Sequence, residues 1–409
     1  MFSPSADAMT RDEKRAGASL AAIFALRMLG LFLILPVFAV HAQGIPGGSD
    51  LTLVGIAIGA YGLTQSMLQI AFGAASDRFG RKRVIIIGLV IFAIGSFVAA
   101  LAPDIYWVIA GRILQGAGAI SAAVTALAAD LTREQHRTKV MAMIGSSIGL
   151  VFALSLVLAP VLYRAIGMGG LFGMTGALAM AAILLVLYVV PEPPPPAPHD
   201  DGPVPFSKIA FDPQLLRLNF GIFTLHLAQM AMFVVIPLAL VNAAGLVLAD
   251  HWKVYLPALM LSFVLMVPAI IVAEKKNKTK PVFNGAILLI LLTQLGFGVF
   301  GEGLWSLSFF LFLFFVGFNI LEASLPSMIS RIAPPQSKGL ALGIYNTTQA
   351  FGLAAGGALG GFLAQRFGAD AVFAVCGLLT LVWLRLGLTM APLPMRVKPG
   401  ATQVAAQTN

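Results

Sequence analysis

Gly73-Ala74-Ala75-Ser76-Asp77-Arg78-Phe79-Gly80-Arg81-Lys82-Arg83 packs four cations, one acid and two spaced glycines between the apolar runs 51–75 and 84–102. Each flanking run is long enough to cross a bilayer core, which takes about 20 apolar residues. Runs of this kind recur along the chain, at 16–40, 51–75, 84–102, 106–130, 140–163, 168–190, 215–242, 252–273, 282–300, 304–330, 339–363 and 369–392. They are long and solid, as membrane helices require, whereas a barrel would show short alternating segments. Composition agrees: 59% of the 409 residues are hydrophobic and 11% charged, with a mean hydropathy of +0.92. A soluble domain carries about 25% charged residues. The expectation is an all-α membrane protein with twelve transmembrane helices.

The basic residues fall on alternate connections. One side collects Arg11, Lys14 and Arg15; Arg78, Arg81, Lys82 and Arg83; Arg133, Arg137 and Lys139; Lys208 and Arg217; Lys275, Lys276, Lys278 and Lys280; Arg331 and Lys338; Arg396 and Lys398. The positive-inside rule makes that side cytoplasmic and places both termini there. The net charge of +9 thus reads as membrane orientation and not as nucleic-acid binding. One cysteine, Cys376, permits no internal disulfide or metal cluster. No paired His/Cys spacing and no nucleophile with a placed base suggests an enzyme, and no cofactor or metal is expected. A cleaved leader is disfavoured by the length of the first run and by Arg27 in its middle.

Residues 191–214 read as a cytoplasmic proline-rich linker, with Pro191, Pro193 to Pro196, Pro198, Pro203 and Pro205 as a stiff solvated spacer. It divides the chain into an N-terminal six-helix unit, 1–190, and a C-terminal unit with a short tail, 215–409. The units match weakly. Ile23-Phe24, Leu26 and Arg27 correspond to Ile222-Phe223, Leu225 and His226; Thr138, Lys139 and Ala142 to Ser337, Lys338 and Ala341; Gly167, Phe172 and Gly176 to Gly368, Phe373 and Gly377. Matches in order at one nearly constant spacing indicate a duplicated unit.

The loop quoted above resembles the signature between helices 2 and 3 of the major facilitator superfamily. Leu26-Arg27-Met28-Leu29-Gly30, Tyr61-Gly62-Leu63-Thr64-Gln65, Asp130-Leu131-Thr132-Arg133-Glu134-Gln135 and His251-Trp252-Lys253-Val254-Tyr255 are similar to a bacterial inner-membrane branch of its drug:proton antiporter group. The resemblance implies the major facilitator fold, two pseudo-symmetric six-helix bundles rocking about a central site, in the bacterial cell inner membrane. It implies a conformational latch of Gly73, Asp77, Arg78, Gly80, Arg81 and Asp130, with Asp77 approaching the eleventh span near Gly339. It also links Arg112, with Gln115, Gly116 and Gly118, to proton coupling; a structural arginine is the alternative reading.

Ionisable residues inside spans are costly and functional by default. Glu322 in the tenth span is the first candidate for proton coupling, followed by His226 and its repeat equivalent Arg27. Arg385 can snorkel to the nearby membrane surface and is assigned no role. Tyr61, Gln65, Gln69, Gln115, Gln229, Asn319, Tyr345 and Gln349 are expected to line a substrate cavity. The ladder Gly352, Gly356 and Gly360, with Gly357 and Gly361, reads as close helix packing. The functional expectation is a monomeric proton-coupled secondary transporter exporting amphipathic small molecules or drugs, its partners being substrate, protons and the lipid bilayer. Ala159-Pro160 stands where antiporters carry Gly-Pro, and Tyr163-Arg164 where they carry paired glycines. Proton symport for metabolite uptake and a non-transporting membrane sensor are therefore the alternatives.

Overall fold

The structure, a computed structural model, describes residues 8–192, 206–276, 278–301, 303–334 and 337–391. The prolines from Pro193 to Pro205, and Arg396 and Lys398 of the tail, lie outside the described residues. The described helices are α1 (Arg11–Phe32), α2 (Leu35–Ala42), α3 (Leu51–Phe79), α4 (Arg81–Ala100), α5 (Ile105–Ala117), α6 (Ser121–Asp130), α7 (Glu134–Tyr188), α8 (Phe206–Ala210), α9 (Pro213–Asn242), α10 (Trp252–Lys275), α11 (Thr279–Phe300), α12 (Leu304–Ile332), α13 (Lys338–Phe367) and α14 (Ala369–Leu388).

Twelve crossings follow once the breaks are understood. The first is split into α1 and α2, because Pro36 has no N–H to give the Phe32 carbonyl one turn back. The fourth is split into α5 and α6 at Gly118, which lies close against the backbone of α4 at Phe92. α7 holds two crossings: its 55 residues would extend about 80 Å at 1.5 Å per residue, but Gly167 adopts φ 66° and ψ −177° and turns the chain. α13 is less apolar than its neighbours, yet its 30 residues are long enough to cross. It is packed between α3 and α9, which explains its tolerance of Asn346, Thr347 and Gln349.

The duplication is visible in the contacts. Gly368, the equivalent of Gly167, has φ 82° and ψ 176° and makes the same turn between α13 and α14. In the first unit, Arg15 donates to the Tyr188 carbonyl and Lys82 pairs with Glu192 at 2.6 Å. In the second, Arg217 donates to the Thr389 carbonyl and Lys280 to the Met390 carbonyl. Each unit thus closes its ring by the same device. A cation at the start of its first helix and another at its third grip the end of its sixth, at carbonyls the helix leaves unsatisfied or, for Lys82, at the Glu192 carboxylate.

Helix α13 forms the main seam between the units. A Cβ at Gly59 of α3 would lie 2.5 Å from the Ala354 carbonyl, and one at Gly62 would lie 2.7 Å from the Ala350 carbonyl. A Cβ at Gly357 would meet the Gly55 carbonyl at 2.5 Å. The neighbouring face of α13 approaches α9 as closely: a Cβ at Gly352 would stand 2.5 Å from the Phe223 carbonyl. Small residues permit such backbone contact where lipid supplies no hydrophobic force between helices. The α3–α13 seam runs from the Leu51 N–H, bonded to Gln365, as far as Gly62 and Ala350. Beyond it, Gly339 and Gly343 have open space where a Cβ would sit, and so do Gly145 and Gly149 on α7. The units therefore meet on the face opposite the basic loops and stand apart toward the basic face.

Candidate functional site

In the first unit, Arg27 of α1 is fully buried. Its Nη1 donates to Ser121 Oγ at 3.1 Å and its Nη2 to Gln65 Oε1 at 3.3 Å. The guanidinium also stands 5.6 Å from the ring centres of Tyr61 and Phe92. The Arg112 guanidinium of α5 also lies over the Tyr61 ring, 5.1 Å from its centre. It donates to the carbonyls of Ala57 and Ile58 on α3, each at 3.2 Å, and to Gln115 Oε1 at 2.9 Å. Gln115 in turn donates to Ser96 of α4. Tyr61 thus has two cations within reach of its ring inside the bundle, and each aromatic–cation contact is favourable.

The second unit is built differently at the equivalent place. His226 of α9 has Nδ1 3.2 Å from the Ile222 carbonyl, so Nδ1 carries the hydrogen and Nε2 is left to accept. Nε2 lies 2.8 Å from the side-chain amide nitrogen of Gln349 on α13, which donates to it. The same nitrogen is 3.4 Å from Glu322 Oε1 on α12, and Glu322 Oε2 is 3.8 Å from His226 Nε2. The Glu322 side chain is 37% exposed, while its Oε2 is buried. Three helices therefore bring an acid, a base and an amide together, and a proton can be held by either titratable member.

The residues expected to line a cavity are mostly buried in this structure. Tyr61, Gln65, Gln69, Gln115, Gln229, Asn319 and Tyr345 are buried, and of the eight only Gln349 is partly open. Asn319 donates to Ser262 of α10 within its own unit. For Gln65, Gln115 and Asn319 the physical reason is the cost of an unpaired polar group in an apolar bundle, which pairs them with Arg27, Ser96 and Ser262.

At the basic face, Arg81 pairs with Asp77 one turn back and with Asp130 at 3.0 Å. It also donates to Ser76 Oγ. Asp77 is 65% exposed, and its pair is within its own unit. Gly80 has φ 96° and turns the chain between α3 and α4, a conformation that favours glycine. Gly73 sits beside Ala122 of α6, and the Arg78 guanidinium lies over the Phe79 ring.

The Major Facilitator Superfamily model matches residues 20–350 and 276–406. The chain belongs to the major facilitator superfamily. It is 46% identical over 389 residues to the inner membrane transport protein YajR of Escherichia coli, covering 94% of this chain and 85% of that one. It is 24% identical to the quinolone resistance protein NorA of Staphylococcus aureus, over 80% of this chain and 84% of the relative. Among solved structures, a bacterial homologue of the human lysosomal transporter Spinster, in an inward-facing and occupied conformation, superposes with a TM-score of 0.75 at 11% identity. The match covers 93% of this chain and 97% of that one. The fold is that of a membrane-spanning transporter of the superfamily, whose members bind small-molecule substrates.

Sequence reasoning missed two groups. Glu13 is buried at the start of α1 and accepts from the Arg133 backbone N–H, Nε and Nη2, each at 2.9–3.0 Å. Its signal was present as Thr10-x-x-Glu13, a capping box that the structure forms in full. The second is a cluster of aromatic rings around Phe152, for which 29 phenylalanines in apolar helices offered no distinguishing mark.

Proposed function

We propose that this superfamily member is a proton-coupled secondary transporter that exports amphipathic small molecules by alternating access. In this reading it lies in a bacterial inner membrane with both termini in the cytoplasm. The moving bodies are residues 1–190 and 215–409, joined by the linker 191–214. The observation that carries the reading is the meeting of Glu322, His226 and Gln349 in the second unit.

A proton reaching His226 would enter at Nε2. The Gln349 amide would be displaced, and the new N–H would face the Glu322 carboxylate 3.8 Å away. A proton taken by Glu322 instead leaves a neutral group beside a neutral imidazole. Either event changes the charge facing the cleft by one, which is how proton binding and cargo binding come to compete. One coupled charge gains about 2.3 kcal/mol per 100 mV of membrane potential. Arg27 and Arg112 serve as anchors inside the first unit. Closure of the basic face would bring Asp77 to the start of α13 near Gly339, where the helix dipole favours an anion, and Arg81 would release it from its present pair. Export is favoured by the likeness to NorA, described as a quinolone resistance protein.

Proteoliposomes carrying an imposed pH gradient test the reading. Cargo-driven proton release identifies antiport, co-entry identifies symport, and no flux across a broad panel leaves the sensor. Glu322→Gln is expected to reduce proton-coupled movement to that of empty liposomes while cargo binding persists; unchanged coupling removes Glu322 from the mechanism.

A further inference from the structure

Phe152 lies in the first crossing of α7, belongs to the first unit, and is 6% exposed. Its ring has one aromatic neighbour at home, Phe32 of α1, with centres 5.1 Å apart and planes at 78°. Its other aromatic neighbours belong to the second unit: Phe233 of α9 at 6.5 Å, Phe315 of α12 at 6.3 Å and Phe318 of α12 at 5.9 Å. Phe318 in turn lies 5.7 Å from the imidazole of His226. Along α12, Phe318 is one turn from Glu322 on the side away from the basic face, and Phe233 is seven residues from His226 in that same direction on α9. At 1.5 Å per residue the ring cluster therefore begins about 6 Å beyond the acid and extends about 10 Å beyond the histidine.

These positions make the cluster a roof. On its basic-face side lies Glu322; the glycine contacts of α3 and α13 close a different part of the divide, between other helices. The seam between α3 and α13 is backbone on backbone, whereas at Phe152 a single large side chain crosses the divide. Separation of the units on the opposite face must draw this ring out of its pocket of three phenylalanines. The same withdrawal uncovers Phe318, whose ring covers the imidazole.

We propose that Phe152 is the movable stopper of the transport site: it closes the Glu322–His226 group from the face opposite the basic loops, and through Phe318 ties that closure to His226. The proposal rests on the alternating-access reading above. It requires no new chemistry, only that an apolar ring exclude water and protons from a path that a smaller side chain would leave open.

Passive proton entry tests it, with cargo absent, in liposomes that hold a pH-sensitive dye and carry a potassium diffusion potential. Phe152→Ala is expected to raise the protein-dependent proton flux several-fold over the parent, and Phe152→Leu, which keeps an apolar plug, to stay near the parent. A folded, monodisperse Phe152→Ala protein with parental proton flux overturns the proposal. Where that variant does not fold, Phe318→Ala replaces it, with the same rise expected and the same result overturning it. Because no cargo is used, the transport reading fails separately: a parent that moves no substrate with protons would sink that reading while leaving the leak measurement intact.

Discussion

Arg27 and His226 occupy the same place in two copies of one six-helix unit, and the copies have put that place to opposite uses. Arg27 spends its hydrogen bonds on Ser121 and Gln65, lies between aromatic faces and is closed from the cleft. His226 keeps one ring nitrogen for its own helix and presents the other to Gln349, with Glu322 beside it and partly exposed. A guanidinium remains charged across the physiological range and suits a permanent anchor. An imidazole can gain and lose a proton, which is the property the proposed function uses. The duplication supplied the scaffold twice; under the proposed function, the residue type at one position separates the copy that holds from the copy that responds.

The largest effect on stability should come from the anchoring copy. Gln65→Leu removes an acceptor from a buried cation, and a hydrogen bond to a charged group contributes about 1.5–3 kcal/mol. A loss of stability on the order of 2 kcal/mol is expected in thermal or denaturant unfolding in detergent, with the proton stoichiometry of the remaining flux unchanged. A stable Gln65→Leu protein with altered coupling would reverse the comparison and make Arg27 the responsive member.

A smaller stability effect and a larger functional one are expected in the other copy. Gln349→Leu takes a donor from a neutral imidazole, where a net hydrogen bond contributes about 1 kcal/mol or less. What should change is the pH profile of transport, because His226 Nε2 would then face Glu322 without the intervening amide. A flux-against-pH curve identical to the parent's would show that Gln349 merely joins α13 to α9.

Much of this was legible in the chain before the fold was seen. Twelve crossings and the repeat, with Gly167 matched to Gly368, follow from long apolar runs and matched spacing, because lipid leaves the backbone few alternatives; the sharp turn at both glycines did not. Glu322 and His226 stood out one by one, as ionisable groups inside spans; that they meet beside Gln349 was not legible. The cavity walls did not follow. Periodicity tells which residues share a helix face, but not whether that face meets a neighbouring helix or open space. Gln115 and Asn319 sit on faces that a helical wheel admits, and each is used up inside its own bundle by Ser96 or Ser262. Phe152 escaped for the converse reason: a phenylalanine in a membrane helix looks the same whether it meets lipid, core or the opposite unit.

The two basic loops offer a finer comparison of the copies, and the smallest expected effect. Gly73–Arg83 contains an acid, Asp77, held by Arg81, which also reaches Asp130. The corresponding 274–280 stretch keeps its cations without glycine, aspartate and glycine in register. Since Asp77 is 65% exposed, its present pair adds little stability, about 0.2–1 kcal/mol for exposed ion pairs. Asp77→Asn should therefore leave expression and melting temperature near the parent's. Its expected consequence lies in the proposed second conformation, with Asp77 at the start of α13: a neutral amide there would forfeit the helix-dipole interaction, about 0.3–1 kcal/mol at an exposed helix end. That is enough to move a balanced two-state population by a few-fold toward the form seen here, open at the basic face. Spin labels placed on the basic ends of α3 and α13 would read the shift as a gain in the longer distance. Equal distributions in variant and parent would reduce the loop's acid to an orientation signal with no more to do than its counterpart at 274–280.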